Sequence, residues 1–153
     1  MTALTPRATA HDGLGPYDSR TVRADDLPWE PTRFPGVNGK TLLFDPTTGM
    51  ATVLIKMDPG AVLPDHEHVM IEQTYVLEGS LVDKDGPEAG LAVGPGEFVW
   101  RPPGSRHAAW TPRGATFIAI FQIPNRFFDV DGVTHDMQGN EWEPRWGEAL
   151  RKA

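Results

Sequence analysis

Glycine and proline interrupt this sequence so often that they constrain its fold more than any other feature. The 153 residues include 16 glycines and 15 prolines, which together make up about a fifth of the chain against about 12% in an average protein. The segments between them are short and rich in β-branched and aromatic residues, a combination typical of strands. The spacing therefore predicts many short strands joined by turns within one domain.

Eight segments carry this strand signal, and no helical period lies between them. The predicted strands are 40–45, 50–57, 61–68, 71–78, 81–84, 98–102, 105–110 and 115–122. Beyond them, Asp129–Gly132 predicts a hairpin turn, and residues 143–152 predict a short C-terminal helix. We therefore expect an all-β fold, an antiparallel barrel or a double-sheet jelly roll, that ends in one helix.

The N-terminal part of the chain follows a different pattern. Residues 1–20 lack apolar periodicity and predict a disordered tail, which leaves residues 21–153 as the single domain. Leu27-Pro28-Trp29 begins the first segment that could pack. We expect an N-terminal arm there that covers a sheet edge or a neighbouring subunit. The barrel core would then span residues 27–122.

Charge and composition exclude several classes of function. The chain has 14 basic and 21 acidic residues and a net charge of −7, a poor match to nucleic acid or an anionic membrane surface. Its longest apolar run, Ala115–Phe121, is too short to span a membrane, and the first ten residues lack the apolar core of a secretion signal. Cysteine is absent, which excludes disulfides and thiolate metal sites. A cytoplasmic location is the expectation.

Three of the five histidines form an ordered pattern with a carboxylate. His66 and His68 are two apart on a predicted strand and so share a face. Glu72 follows at the entry to the next strand, and His107 lies on a separate strand beyond a Pro-x-Gly turn. Three imidazoles and one carboxylate suit a divalent metal of borderline hardness. Histidine pairs on strands also occur at surfaces and in polar networks, but the added Glu72 and His107 favour the metal.

Two stretches around these residues resemble the two sequence motifs of the cupin superfamily. GAVLPDHEHVMIEQTYVLEG, residues 60–79, resembles the first motif, and GEFVWRPPGSRH, residues 96–107, resembles the second. Thr111 stands where the second motif usually ends in asparagine, which is not a metal ligand in the family. The resemblance implies a double-stranded β-helix, the cupin jelly-roll barrel. It assigns four metal ligands: His66, His68, Glu72 and His107.

Further stretches of the sequence resemble two particular groups of cupin proteins. The stretches PWEPT and PPGSRH resemble the cupin domain of ChrR-type anti-sigma factors, which binds zinc. The helical sigma-contact domain of that group has no counterpart in this sequence, so the anti-sigma role is not carried over. The segment FQIPNRFFDVDGVTHDMQGNEW is loosely similar to the part that follows the barrel in small cupin dioxygenases. Those enzymes cleave a carbon–carbon bond in acetylacetone-like diketones or hydroxyacetophenones.

These resemblances imply one divalent metal per chain, with Fe(II) favoured and Zn(II) or another divalent ion as alternatives. The favoured function is a non-haem Fe(II) dioxygenase that cleaves a C–C bond in an enolisable ketone or dicarbonyl. The alternatives are a metal-dependent lyase, isomerase or cyclase, and a non-catalytic zinc-binding sensor or ligand-binding cupin. The family also implies a homodimer and a small-molecule ligand.

Four residues are candidates for the lining of an apolar pocket beside the metal. Each of them could equally be ordinary core packing, since aromatic residues in a barrel usually are. No general acid or base can be assigned from the sequence. The candidate pocket residues are Met70, Thr74, Trp100 and Phe121.

Overall fold

The computed structural model describes residues 2–153, and β-strands dominate it. The strands are β1 (Glu30–Pro31), β2 (Val37–Phe44), β3 (Ala51–Met57), β4 (Val62–Glu67), β5 (Glu72–Gly79), β6 (Leu81–Asp85), β7 (Ala92–Val93), β8 (Phe98–Arg101), β9 (Arg106–Trp110), β10 (Ala115–Phe121), β11 (Arg126–Phe128) and β12 (Thr134–His135). One α-helix, α1 (Trp142–Lys152), follows β12, and 3₁₀ turns at Thr9–His11 and Ala24–Asp26 precede β1. The eight predicted strands and the helix are confirmed, with small shifts at their ends.

The strands form two six-stranded antiparallel sheets. The first has the order β1-β2-β3-β10-β5-β8, and the second has the order β12-β11-β4-β9-β6-β7. Their inner faces enclose one main apolar core, with Ile55, Met57, Val76 and Phe117 almost fully buried. This arrangement confirms the all-β jelly roll. No helix in residues 2–153 is both long and apolar enough to cross a bilayer.

Strand β10 shows how alternation builds this core. It lies between β3 and β5 and buries every second side chain, including Phe117 and Ala119, while Ile118 and Ile120 on the other face stay partly exposed. Burial of a side chain such as Phe117 stabilises the fold by about 1.5–3 kcal/mol. The period of two in the sequence is thus the physical cause of the two-layer structure.

Gly79, the last glycine of the first motif, is required by its surroundings. Its φ of +70° is unfavourable for any residue with a Cβ. A Cβ built there would lie 1.9 Å from the Gly114 carbonyl oxygen, which belongs to the backbone and cannot move aside. The glycine therefore lets β5 end in close contact with the turn before β10.

Part of the segment predicted as a disordered tail lies against the first sheet. Leu4 pairs with Phe44 through two backbone hydrogen bonds of 2.8 Å and so extends the edge of the first sheet. Thr5 is buried and donates to the Leu42 carbonyl over 2.6 Å. The tail pairs with backbone groups that are left unpaired at the sheet edge. Because these are hydrogen bonds to the backbone, they require no apolar periodicity in the tail. Met1 of the predicted tail lies outside the described residues.

The C-terminal segment belongs to the second sheet, which corrects the core boundary at residue 122. β11 pairs with β4 and with β12, and the predicted hairpin turn at Asp129–Gly132 joins β11 to β12. Beyond the hairpin, Trp142 and Trp146 of α1 are buried against Val69 and Ile123. The helix thereby covers a second, smaller apolar cluster at one end of the barrel.

Candidate metal centre

Three histidines meet on the inner face of the second sheet. His66 on β4 lies directly opposite His107 on β9. His68 follows the end of β4, where its backbone N–H donates to the Ser105 carbonyl over 2.9 Å. The ring centroids are 4.7 to 5.0 Å apart, and all three side chains are buried. One ring nitrogen of each lies within 4.8 Å of the other two, so the three could bind one ion.

Protein groups hold the Nδ1 atoms of the first two rings. His66 Nδ1 lies 2.7 Å from the Pro64 carbonyl oxygen, and His68 Nδ1 lies 3.2 Å from the carbonyl and 2.9 Å from Oγ of Ser105. A carbonyl oxygen only accepts, so each Nδ1 carries the proton and donates it. Ser105 Oγ in turn donates to the Pro102 carbonyl over 2.7 Å. Nε2 of each ring is therefore the unprotonated nitrogen that can ligate a metal.

His107 is oriented by a buried ion pair. Its Nδ1 lies 3.1 Å from Oδ1 of Asp83, and Arg101 donates to both oxygens of that carboxylate over 2.6 and 3.0 Å. Burial alone would raise the pKa of Asp83, but His107 and Arg101 lower it below its usual value. The ionised carboxylate faces Nδ1 of His107 at ion-pair distance, without a hydrogen bond of normal geometry to it. A carboxylate on the outer nitrogen of a histidine is a common support for a metal ligand.

His66 and His68 are held in the neutral form that a metal needs. Burial, reinforced by the neighbouring imidazoles, lowers the pKa of His66 to about 3. Burial also lowers the pKa of His68 to about 3, and His107 and then the Arg101 cation add to the effect. Nε2 of His68 is buried and has no hydrogen-bond partner in residues 2–153. An unsatisfied buried polar atom costs about 1–3 kcal/mol, and a bound metal ion would satisfy this one.

Glu72 approaches the histidines from the first sheet. Its Oε2 lies 3.4 Å from Nε2 of His68 and accepts a 2.6 Å hydrogen bond from Nδ2 of Asn125. Its other oxygen, Oε1, accepts from the Thr74 hydroxyl over 3.1 Å. The carboxylate is thus held beside the free ring nitrogens, with both oxygens fixed. Its role as a fourth ligand stays a prediction.

A small cavity, here called the inner cavity, lies at this cluster and has a volume of about 20 Å³. Thr74 and Phe121, two of the candidate pocket residues, line it. Trp100 does not, and its side chain is 55% exposed on the outer face of β8 because the next residue, Arg101, points inward. Met70 packs against the apolar cluster beneath α1 instead. The expectations for Trp100 and Met70 are therefore corrected.

A larger cavity, here called the outer pocket, adjoins the inner one and has a volume of about 460 Å³. Its floor is formed by β2 and β3, including Thr41 and Val53, and its walls come from segments before β2 and after β11. Its lining is mostly apolar. Five residues line both cavities: Ile55, Phe121, Asn125, Phe127 and Met137. The two cavities are therefore separated by one shared wall.

Sequence reasoning missed four residues of the site. Asp83 lies two residues after the buried Leu81, and Arg101 lies two residues after the inward Val99, so each charged residue is on the inner face of its strand. A charged residue at such a position is the signal that could have identified them. The other two lay beyond the assumed end of the core. They are Asn125, which contacts Glu72, and Phe127, whose ring centroid is 4.8 Å from that of His66.

A protein-family comparison covers most of this site. The model of the ChrR cupin-like domain family matches residues 18–125, which is more than half of the chain. The match includes all three histidines, Glu72 and Asn125. No curated protein matches the chain.

Solved structures share the fold over most of their length. An acetylacetone dioxygenase from Acinetobacter johnsonii is 16% identical, with a TM-score of 0.65 over 92% of this chain and 95% of its own. An RmlC-like cupin from Ralstonia eutropha is 20% identical, with a TM-score of 0.67 over 88% and 87%. The polyketide cyclase RemF from Streptomyces resistomycificus is 24% identical, with a TM-score of 0.61 over 87% and 99%. At these identities the likeness establishes the fold alone.

Proposed function

The chain belongs to the ChrR cupin-like domain family, and from that premise we propose that it is a metal-dependent enzyme. In this proposal it is a non-haem Fe(II) dioxygenase that cleaves a C–C bond in an enolisable ketone or dicarbonyl. For a 1,3-diketone, the reaction takes up one O₂ and gives a carboxylic acid and a 1,2-dicarbonyl. Both oxygen atoms enter the products, so no other reductant is needed.

The observation that carries the proposal is the donor set. Three buried imidazoles each direct one ring nitrogen at a common point, and the Glu72 oxygen lies 3.4 Å from Nε2 of His68. Two donors that are each about 2.1 Å from one ion lie about 3.0–3.4 Å apart. We therefore take His66, His68, His107 and Glu72 as the ligands. Nitrogen and carboxylate donors with positions left open are the usual setting for non-haem iron and dioxygen.

The residues of this chain prepare the site for such chemistry. When bound, the metal supplies a Lewis acid for the substrate oxygens and, as Fe(II), the redox chemistry with dioxygen. Asp83 and Arg101 hold the His107 ring in one orientation, and Thr74 and Asn125 hold the Glu72 carboxylate. The apolar side chains of the inner cavity exclude water from the ligands and from the coordinating oxygens of an enolate.

The comparisons support this reading and also a second candidate. The acetylacetone dioxygenase shares its fold over nearly its whole length, which supports oxygen chemistry. The polyketide cyclase does so too, which supports a metal-dependent cyclase that uses no O₂. A zinc-binding sensor is the third possibility, in line with the ChrR resemblance. The three differ in the metal and in oxygen consumption.

Metal content and oxygen uptake together test the proposal. The protein is purified from its native host without chelator and measured by elemental mass spectrometry, since zinc displaces iron at such sites in a foreign host. Protein loaded anaerobically with Fe(II) is then supplied with O₂ and a panel of diketones and hydroxyketones. Iron near one per chain with ketone-dependent oxygen uptake supports the dioxygenase. Bound zinc with no oxygen uptake contradicts it and favours the cyclase or the sensor.

A further inference from the structure

We propose that the substrate is a bulky chelating ketone, with a dicarbonyl or hydroxyketone head at the metal and an aryl or long-alkyl body in the outer pocket. The inference rests on the proposed function for its chelating head. It goes further in naming the size and polarity of the rest of the molecule. Diketones that carry only methyl substituents would then be poor ligands of this centre.

The inner cavity and the outer pocket differ greatly in volume. The inner cavity, at about 20 Å³, has room for about one water molecule. It can therefore admit the coordinating oxygens of a ligand but not its carbon skeleton. The outer pocket, at about 460 Å³, falls in the range of about 300–1,000 Å³ that buries larger organic ligands. The body of any ligand that reaches the histidines must lie there.

The shared wall brings the outer pocket close to the candidate metal ligands. Phe127 lines both cavities and lies against the His66 ring, and Asn125 lines both and contacts Glu72. A ligand in the outer pocket is thus one side chain away from the candidate metal ligands. Met137 completes the wall and is only partly buried. Its unbranched side chain can change rotamer to let a flat head pass.

The walls and floor of the outer pocket indicate what kind of ligand it would bind. On the C-terminal side they are made by residues from Asp136 to Trp146, outside the residues 18–125 that match the family. The candidate metal ligands lie inside the matched residues, whereas this part of the pocket wall lies outside them. The floor is apolar at Ala51 and Val53. Apolar bulk is therefore what the pocket would recognise, at a distance from the metal.

Binding to protein loaded with a redox-inert ion tests the inference without turnover. Ni(II)-loaded protein is titrated by calorimetry with acetylacetone and with benzoylacetone, which differ by a phenyl in place of a methyl. We expect benzoylacetone to bind about tenfold or more tightly, because the phenyl group is buried in the outer pocket. Equal affinities, or tighter binding of acetylacetone, would overturn the inference.

Variants locate the binding. Val53→Phe places a ring in the outer pocket and should lower the affinity for benzoylacetone about tenfold with little change for acetylacetone. Thr41→Phe, on the facing position of β2, serves as a second variant if the first unfolds. Leu54→Phe is the matched control, since Leu54 lies on the opposite face of β3. A loss of benzoylacetone binding in the control alone would contradict the assignment.

The outcomes separate the two proposals. Tighter benzoylacetone binding that Val53→Phe weakens, without oxygen uptake by the Fe(II) protein, supports the substrate class and rejects the dioxygenase. Oxygen uptake with acetylacetone at full rate and no preference for the larger ketone supports the dioxygenase and rejects the substrate class. Failure of benzoylacetone to bind Ni(II)-loaded protein rejects the substrate class as well, whereas failure of acetylacetone alone supports it.

Discussion

The Asn125 amide donates a 2.6 Å hydrogen bond to Oε2 of Glu72, the same oxygen that lies 3.4 Å from Nε2 of His68. Asn125 follows β10, whereas Glu72 opens β5 and His68 follows β4. One side chain from outside the sequence motifs therefore fixes the distance between two candidate metal ligands inside the first motif.

We predict that Asn125→Ala weakens metal binding about tenfold to a hundredfold, the usual range for loss of a partner of a metal ligand. The carboxylate would then be held by the Thr74 hydroxyl alone. Titration of the metal-free protein with Zn(II) against a competing chelator measures the change. Asn38→Ala, on β2, is the control. Unchanged affinity in Asn125→Ala would show that Glu72 needs no such support.

The histidine cluster predicts which substitutions abolish metal binding. His107→Ala should lower the bound metal well below one equivalent per chain, because the three imidazoles are placed to bind a single ion. His11→Ala and His135→Ala change histidines outside the cluster and should leave the metal content intact. Elemental analysis of each purified variant checks this. Full occupancy in His107→Ala would remove that residue from the ligand set.

The ion pair between Asp83 and Arg101 predicts a large loss of stability when it is broken. Both side chains are nearly inaccessible to solvent, and Asp83→Asn should leave the buried Arg101 cation with only the exposed Glu88 carboxylate, 3.4 Å away. We expect a cost toward the lower end of about 3–5 kcal/mol. The exposed pair between Arg106 and Asp65 is the control, and Asp65→Asn should cost less than about 1 kcal/mol. Urea unfolding of the metal-free proteins measures both.

The same ion pair predicts that the effects of substitutions at Asp83 and Arg101 on the free energy of unfolding are not additive. Replacement of Asp83 and Arg101 together by Leu and Met should cost less than Asp83→Asn alone, because no unpaired charge remains in the interior. Loss of the aspartate also frees Nδ1 of His107. We expect the double variant to fold stably and to bind metal more weakly. A double variant less stable than the single one would contradict this account of the pair.

The lowered pKa values predict how the stability of the metal-free protein depends on pH. His66 and His68 have a pKa of about 3 when folded, against about 6.5 in an unfolded chain. Below about pH 6.5 the unfolded state therefore binds protons that the folded state does not. The free energy of unfolding should fall as the pH drops from about 6.5 toward 3, by about 1.4 kcal/mol per pH unit for each histidine.

Urea unfolding after chelation, between about pH 7 and pH 5, measures this slope, because carboxylates contribute little in that window. His68→Gln should give a smaller slope, and His11→Gln should leave it unchanged. A flat profile would show that the two imidazoles titrate normally in the folded protein.

Much of the fold could be predicted because its causes are local. Turn residues mark where each strand stops, and the His-x-His spacing on β4 places two imidazoles together without knowledge of the partner strand. The missing parts depend on contacts between distant segments. Asp83 and Arg101 form an ion pair between the two sheets, so neither residue can be assigned to the site without the position of the other. Trp100 fits the apolar lining expected of a pocket, whereas the alternation along β8 turns its side chain outward.

The outer pocket draws its walls from segments before β2 and after β11, while the histidines sit on paired strands of the second sheet. Apart from the five residues that line both cavities, the outer pocket and the histidines therefore come from separate stretches of sequence. Changes near Met137 or Arg145 can alter which molecules are accepted without disturbing the strand register that aligns His66 with His107. In evolutionary terms, one metal-binding barrel of this kind could be adapted to new ligands by exchange of the segments at its borders.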